Sequence, residues 1–310
     1  MTSAPPTPLR TWLQLLRAPN LFTVPGDPLA GFLLASSGRI DERLAYAILA
    51  SLCFYSHGLL LNDLADLAED RRERPERPLP SGAARLLAVR ATAALLAVAA
   101  LLLCHTIGRP ALLVGLALLG VIVLYNLWAK RIAVLGPINM GLCRGLSLLL
   151  GASATLTPAS DPAHPLPGVV FLAATSLTLY IAAITHLARI ETLADPPPLP
   201  RRLPYATLTL VIVAFFISVI DHTHPLTPAN IGLYLLSAYT LYAGYKIHGK
   251  LTHQPAPPIP PMIGQLIRLL LPLQAIFCLA SRSLAGGIAA ALLLALWPVS
   301  RAVSRRFYAS

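Results

Sequence analysis

The 310-residue chain is 56% apolar and only 12% charged, with a mean hydropathy of +0.68; a soluble domain, which carries about 25% charged residues, is excluded by that balance. The net charge of +11 comes from basic residues set between apolar runs. They form no basic helix and no stripe interleaved with aromatics, so a nucleic-acid binder is excluded as well.

In chain order, apolar runs predict membrane spans at 20–36, 44–66, 86–104, 111–129, 134–156, 168–188, 204–221, 229–246, 263–281 and 284–301. About 20 mostly apolar residues suffice to cross the hydrocarbon core. The expected fold class is therefore all-α, a polytopic transmembrane bundle of nine to ten helices in one domain over 1–310. Met1 to Arg17 lacks the apolar core of a signal peptide. The proline runs Pro196 to Pro200 and Pro255 to Pro261 read as stiff spacers between spans. The weakest span is 263–281, which contains Arg268 and Pro272; lying at the interface instead, it would leave nine crossings. The four cysteines, Cys53, Cys104, Cys143 and Cys278, stand singly in apolar runs and predict neither zinc ligation nor a disulfide framework.

With the N-terminus inside, 18 Lys and Arg fall on the inner side and 4 on the outer. The positive-inside rule then places the 1–19 segment and the loop at 62–85 in the cytoplasm, and a bacterial inner membrane is the expected location. His105, His164, His222 and His224 fall on the outer side, and His57 lies off the acidic face described next; none reads as catalytic.

The second span ends in NDLADLAEDRRERPERPLPSG, residues 62–82. At about 100° per residue, Asn62, Asp63, Asp66, Glu69 and Asp70 fall in an arc of roughly 120°. Like charges this close repel, and a helix C-terminus disfavours anions. A bound cation offsets both costs, and an all-oxygen donor set suits Mg²⁺, which bridges carboxylates to substrate phosphates. The competing reading is a solvated helix end paired with Arg71, Arg72, Arg74 and Arg77. Acids that continue directly from a membrane span favour function. The fourth span ends in Tyr125-Asn126-Leu127-Trp128-Ala129-Lys130-Arg131. That stretch is either an interfacial aromatic and basic anchor or a source of charge and hydrogen bonds for phosphate oxygens. Arg144, in GLCRGLSLLLG (141–151), lies inside a span and should face the bundle interior. It either contacts the acidic cluster and what that cluster binds, or pairs with an acid that joins helices.

Asn62-Asp63-x-x-Asp66-x-x-x-Asp70, followed by Arg74-Pro75, Arg77-Pro78 and Gly82, resembles the UbiA superfamily of intramembrane prenyltransferases. The resemblance implies a helical bundle that holds a prenyl diphosphate through Mg²⁺ and transfers the prenyl group to an aromatic or other lipophilic acceptor drawn from the membrane lipid. It implies metal ligation by Asn62, Asp63, Asp66 and Asp70. It implies diphosphate binding by Arg77, Tyr125, Lys130, Arg131, Arg144 and Arg189, with Asp66, Asp70, Lys130 and Glu191 at the chemistry. The family's second acidic motif should close the sixth span, where this chain reads THLARIETLAD (185–195). Glu191 and Asp195 keep an acidic i, i+4 pair, whereas Thr185, His186 and Arg189 depart from the pattern. Glu191 and Asp195 form a second metal site, or Arg189 binds phosphate directly, or the second metal is lost. The same features are similar to the divergent EboC-like branch. The departure leaves a second function open: a carrier that binds prenyl diphosphates or prenylated lipids without turnover.

Overall fold

A computed structural model describes residues 8–156, 166–190, 198–220, 223, 226–253 and 258–304, with the backbone of 305–307. Every regular element among them is helical. Two short helices, α1 (Pro8–Leu15) and α2 (Ala18–Leu21), lead into α3 (Gly26–Ser36). The chain leaves α3 through two left-handed residues, Ser37 (φ 53°) and Gly38 (φ 83°). Asp41 caps α4 (Glu42–Ala65) by accepting a hydrogen bond from the Arg43 amide at 2.9 Å. At 24 residues, α4 is about 36 Å long and crosses a hydrocarbon core of about 30 Å.

Beyond α4 come α5 (Leu67–Glu73), α6 (Leu86–Ile107) and α7 (Arg109–Leu127). Gly108, at φ 142°, makes the tight turn between the last two. A 3₁₀ turn at Ala129–Arg131 precedes α8 (Leu135–Ser153) and α9 (Gly168–Ala188). The remaining helices are α10 (Pro198–Val219), α11 (Pro228–Thr252), α12 (Ile259–Arg268), α13 (Leu270–Leu279) and α14 (Leu284–Phe307).

Among the described residues, seven helical stretches are long and apolar enough to cross a membrane: α4, α6, α7, α9, α10, α12 with α13, and α14. Large apolar side chains such as Leu87, Leu95, Leu102, Leu113, Leu210, Ile217 and Leu292 point outward from them. In a bilayer that surface needs no further cover. Helices α8 and α11 reach 19 and 25 residues but are more polar, α8 through Asn139, Arg144 and Ser147 and α11 through its tyrosines and lysines. The first predicted span is built from α2 and α3 rather than from one helix. The predicted 263–281 span starts earlier and bends. Pro260 and Pro261 sit in the first turn of α12, where a missing amide hydrogen costs nothing, and Leu269 separates α12 from α13. This stretch is 78% buried, the highest of the seven; it is an internal helix pair, not an interfacial one.

Two apolar cores share α3 and α8. One lies among α3, α4, α6, α7 and α8, and the other among α3 and α8 to α14. Where α8 meets α3 and α9 the helices approach closely, and glycine permits it. A Cβ at Gly141 would lie 2.1 Å from the Thr178 carbonyl oxygen on α9, and one at Gly31 would lie 2.0 Å from the Leu148 carbonyl oxygen on α8. Gly141 and Gly145 form the small-xxx-small pattern that lets membrane helices meet backbone to backbone.

Candidate active site

Asp66 interrupts α4 at φ −91°, ψ 0°. The hydrogen-bond ladder nevertheless continues, from the Asp66 amide to the Asn62 carbonyl (2.9 Å) and from the Asp70 amide to the Asp66 carbonyl (2.8 Å). Asn62, Asp66 and Asp70 therefore keep their shared face across the break, as the spacing predicts.

Three cations from three other parts of the chain meet the acids of this face. Lys130 Nζ, from the 3₁₀ turn, donates to Asp66 Oδ1 and reaches Asn62 Oδ1 at 3.5 Å. Arg77 Nη1, from the proline-rich loop, donates to both oxygens of buried Asp70 at 2.9 Å. Arg17, between α1 and α2, brings Nη2 to 4.0 Å from Asp63 Oδ1. Asp63, Asp66 and Asp70 thus each have one cation opposite them. The sequence predicts Lys130 and Arg77 as diphosphate ligands on the same inner face as the acids, and Arg17 only as one more inner-side charge.

A cavity of about 270 Å³ runs from this cluster into the bundle between α4, α7 and α8. Arg17, Asn62 and Tyr125 line its polar end; Phe54, Leu118, Ser51 and Ser147 line it further in. Ser51 lies eleven residues before Asn62 on α4, a distance of about 16 Å along the helix. Asn126 also lines the cavity; its Nδ2 donates to the Ile122 carbonyl at 2.9 Å, while its buried Oδ1 has no partner among the described residues.

The remaining expected residues lie around this centre. Arg144 does not touch Asp63, Asp66 or Asp70. Its Nε lies 2.8 Å from Asp27 Oδ2 on α3, and its Nη2 donates to Asp27 Oδ1 (3.2 Å) and the Thr23 carbonyl (2.8 Å). Gln274 on α13 donates to the same two acceptors, at 2.6 and 2.8 Å. Asp27, Arg144 and Gln274 are all buried, so one polar cluster ties α3, α8 and α13 together. Arg144 also lines the cavity. Arg189, at the end of α9, donates Nη1 to the Lys130 carbonyl at 2.7 Å and to the Ile132 carbonyl at 3.2 Å. It braces the turn that carries Lys130. Arg131 ends that turn and is exposed. His57 is buried with Nδ1 on the Ala93 carbonyl at 2.9 Å, away from the cluster. Glu191 and Asp195 lie outside the described residues.

The donors are all oxygens, as Mg²⁺ requires. The convergence of Asp66 Oδ1 and Asn62 Oδ1 on one ammonium shows that they can share a cation. No compact group of three His, Cys, Asp or Glu is present among the described residues. A metal held by Asn62 and Asp66 would need further oxygen ligands from outside these side chains.

Residues 28–247 match the UbiA prenyltransferase family. The chain belongs to that family. Its members are integral membrane proteins, as the apolar helices require. Among curated relatives, the digeranylgeranylglyceryl phosphate synthase of Methanocaldococcus jannaschii is 34% identical over 98 residues, 31% of this chain and 34% of that enzyme. The synthase of Methanothrix thermoacetophila is 27% identical over 205 residues, 64% of this chain and 70% of that enzyme. The matched segment is about half or less of several such enzymes, 50% in Methanoculleus marisnigri. Among solved structures, the apo UbiA homologue of Aeropyrum pernix K1 shares the fold at TM-score 0.64 and 18% identity, covering 83% of this chain and 96% of its own. The UbiA homologue of Archaeoglobus fulgidus bound to DMAPP and Mg²⁺ gives 0.60 at 16% identity, covering 91% and 99%.

Proposed function

We propose that this UbiA-family protein transfers a prenyl group from a prenyl diphosphate to a lipophilic acceptor within the membrane. The observation that carries the reading is the opposed pair of rows, acids on α4 and α5 and cations facing them, at the mouth of an apolar cavity. A diphosphate with its metal has one face for each row, and its prenyl tail has the cavity. The relatives whose named product is a prenylated glyceryl phosphate support the donor class, as does the A. fulgidus homologue bound to DMAPP and Mg²⁺.

Asn62, Asp66 and Asp70, with Asp63 beside them, would hold Mg²⁺. The ion would supply charge neutralisation for the departing diphosphate. Lys130 and Arg77 would turn from their carboxylates to phosphate oxygens, placing two fixed cations where negative charge grows. Tyr125, at the cavity mouth, offers a hydroxyl hydrogen bond. Arg189 keeps Lys130 in place through the backbone, and Arg144 acts from the cavity wall. The apolar lining holds the tail and excludes water from the electron-poor prenyl carbon. Glu191 and Asp195 would complete a second acidic site. The motif and the charged mouth face the cytoplasm, following the basic residues on that side.

Purified protein given Mg²⁺ and labelled C15 or C20 prenyl diphosphate, with glyceryl phosphate or aromatic lipid acceptors, is expected to form a prenylated product. Asp66→Ala and Asp70→Ala should abolish it. A carrier is the second reading, favoured by the departure of Thr185, His186 and Arg189 from the family's second acidic motif. Saturable Mg²⁺-dependent binding without product from any acceptor would decide for it.

A further inference from the structure

Arg17 stands at a backbone position made for another residue. Two residues beyond the end of α1 it adopts φ 44°, ψ 57°, the left-handed conformation. Helix ends use this conformation routinely, and glycine is the usual occupant, because a Cβ is crowded there. A large side chain kept in a strained conformation points to a function for that side chain. The side chain is 46% exposed and lines the cavity mouth beside Asn62 and Tyr125. Among the described residues, no carboxylate comes closer to it than Asp63 at 4.0 Å. Lys130 and Arg77, by contrast, already hold Asp66 and Asp70 at hydrogen-bond distance. Arg17 is the cation at the mouth with its donors least committed.

Its place along the row adds a specific role. Arg17 and Asn62 line the cavity that takes the tail, whereas Arg77 does not. In a donor whose tail fills the cavity, the phosphate joined to the prenyl carbon lies at the Arg17 end. We propose that Arg17 is a further diphosphate-binding cation beside Lys130 and Arg77, which grips that phosphate and takes up charge as the ester bond breaks. The C–O bond breaks with both electrons staying on oxygen. The acceptor supplies the electron pair of the new bond and releases its proton. The assignment rests on the donor reading above.

The test uses the full-length protein, MgCl₂ and an unreactive prenyl thiolodiphosphate, with affinity measured by calorimetry. Arg17→Gly should bind the analogue at least about tenfold more weakly, the loss expected for one charge-assisted hydrogen bond. Its melting temperature should equal or exceed that of the parent, because glycine suits the left-handed position. Arg17→Lys should recover part of the affinity, and Mg²⁺ alone should bind Arg17→Gly no more weakly than the parent. Inorganic diphosphate should lose affinity along with the analogue. Arg17→Gly binding within twofold of the parent overturns the proposal. So does a weakening confined to a glyceryl phosphate lipid, which would assign Arg17 to the acceptor. Loss of binding together with a lowered melting temperature and no recovery in Arg17→Lys also overturns it. If instead the parent fails to bind the analogue, or Asp66→Ala binds it as the parent does, the donor reading itself fails.

Discussion

Replacing Lys130 with methionine tests whether the resting site is held shut by its own charges. The Lys130 and Asp66 side chains are 16% and 26% exposed, so the pair is neither dry nor fully solvated. At about 4 Å and an effective dielectric of about 20, two unit charges attract by roughly 4 kcal/mol. Lost hydration cancels part of that, and a charge-assisted hydrogen bond nets about 1.5–3 kcal/mol. Mg²⁺ arriving alone must displace the ammonium and forfeit this amount. Arriving with a diphosphate it need not, because phosphate oxygens receive the ammonium. The two ligands should therefore be coupled by about 1.5–3 kcal/mol, or roughly 10- to 150-fold in affinity. Calorimetry with Mg²⁺, with and without an unreactive prenyl thiolodiphosphate, measures the coupling directly. In Lys130→Met, Mg²⁺ alone should bind more tightly by about that factor, the analogue should bind more weakly, and the coupling should shrink. Lys130→Met binding Mg²⁺ no more tightly than the parent would refute the reasoning.

Asp27→Leu leaves Arg144 buried and unpaired, a loss of about 3–5 kcal/mol; thermal unfolding in detergent should fall sharply, and Asp27→Leu with Arg144→Met should recover most of the loss. Gly141→Ala sets two effects against each other. Helix propensity favours alanine by about 1 kcal/mol, but the Cβ would meet the Thr178 backbone at 2.1 Å, and overpacking costs about 1–3 kcal/mol. The net expectation is a lower melting temperature; an unchanged or higher one would mean that α8 and α9 can separate freely. Ser51→Phe fills the inner part of the cavity, so donor preference should shift toward shorter chains, as competition between C10 and C20 diphosphates will show. An unchanged preference would place the tail elsewhere.

The acidic face was legible because its residues are local in sequence, and a helical period maps them onto one side whatever the tertiary structure does. Lys130 was legible because both its helix and that of the acids end on the inner face. The partner of Arg144 was not. Asp27 lies 117 residues away in a proline- and glycine-rich stretch, and no local period links the two. A signal did exist: an acid inside the first predicted span needs a countercharge at similar depth, and Arg144 is a basic residue well inside a span. Gln274 carries no charge to betray it. The start of α12 was missed because prolines that open a helix and prolines that interrupt one look alike in sequence.

The glycine contacts of α8 also determine how the cavity can breathe. On the sides facing α3 and α9, α8 meets backbone directly, with Gly151 against the Pro28 carbonyl and Gly141 against the Thr178 carbonyl. Sliding or rotating α8 would drive backbone into backbone. The opposite side is softer: α4 and α7 meet through the Ile122 side chain at Gly58 and a 3.5 Å reach from Asn126 to the Gly58 carbonyl. The cavity therefore has one stiff wall and one compliant wall. On the proposed function, tails of different girth would be accommodated by α7 yielding toward the lipid, while α8 would stay fixed as the reference surface against which the reacting carbon is aligned.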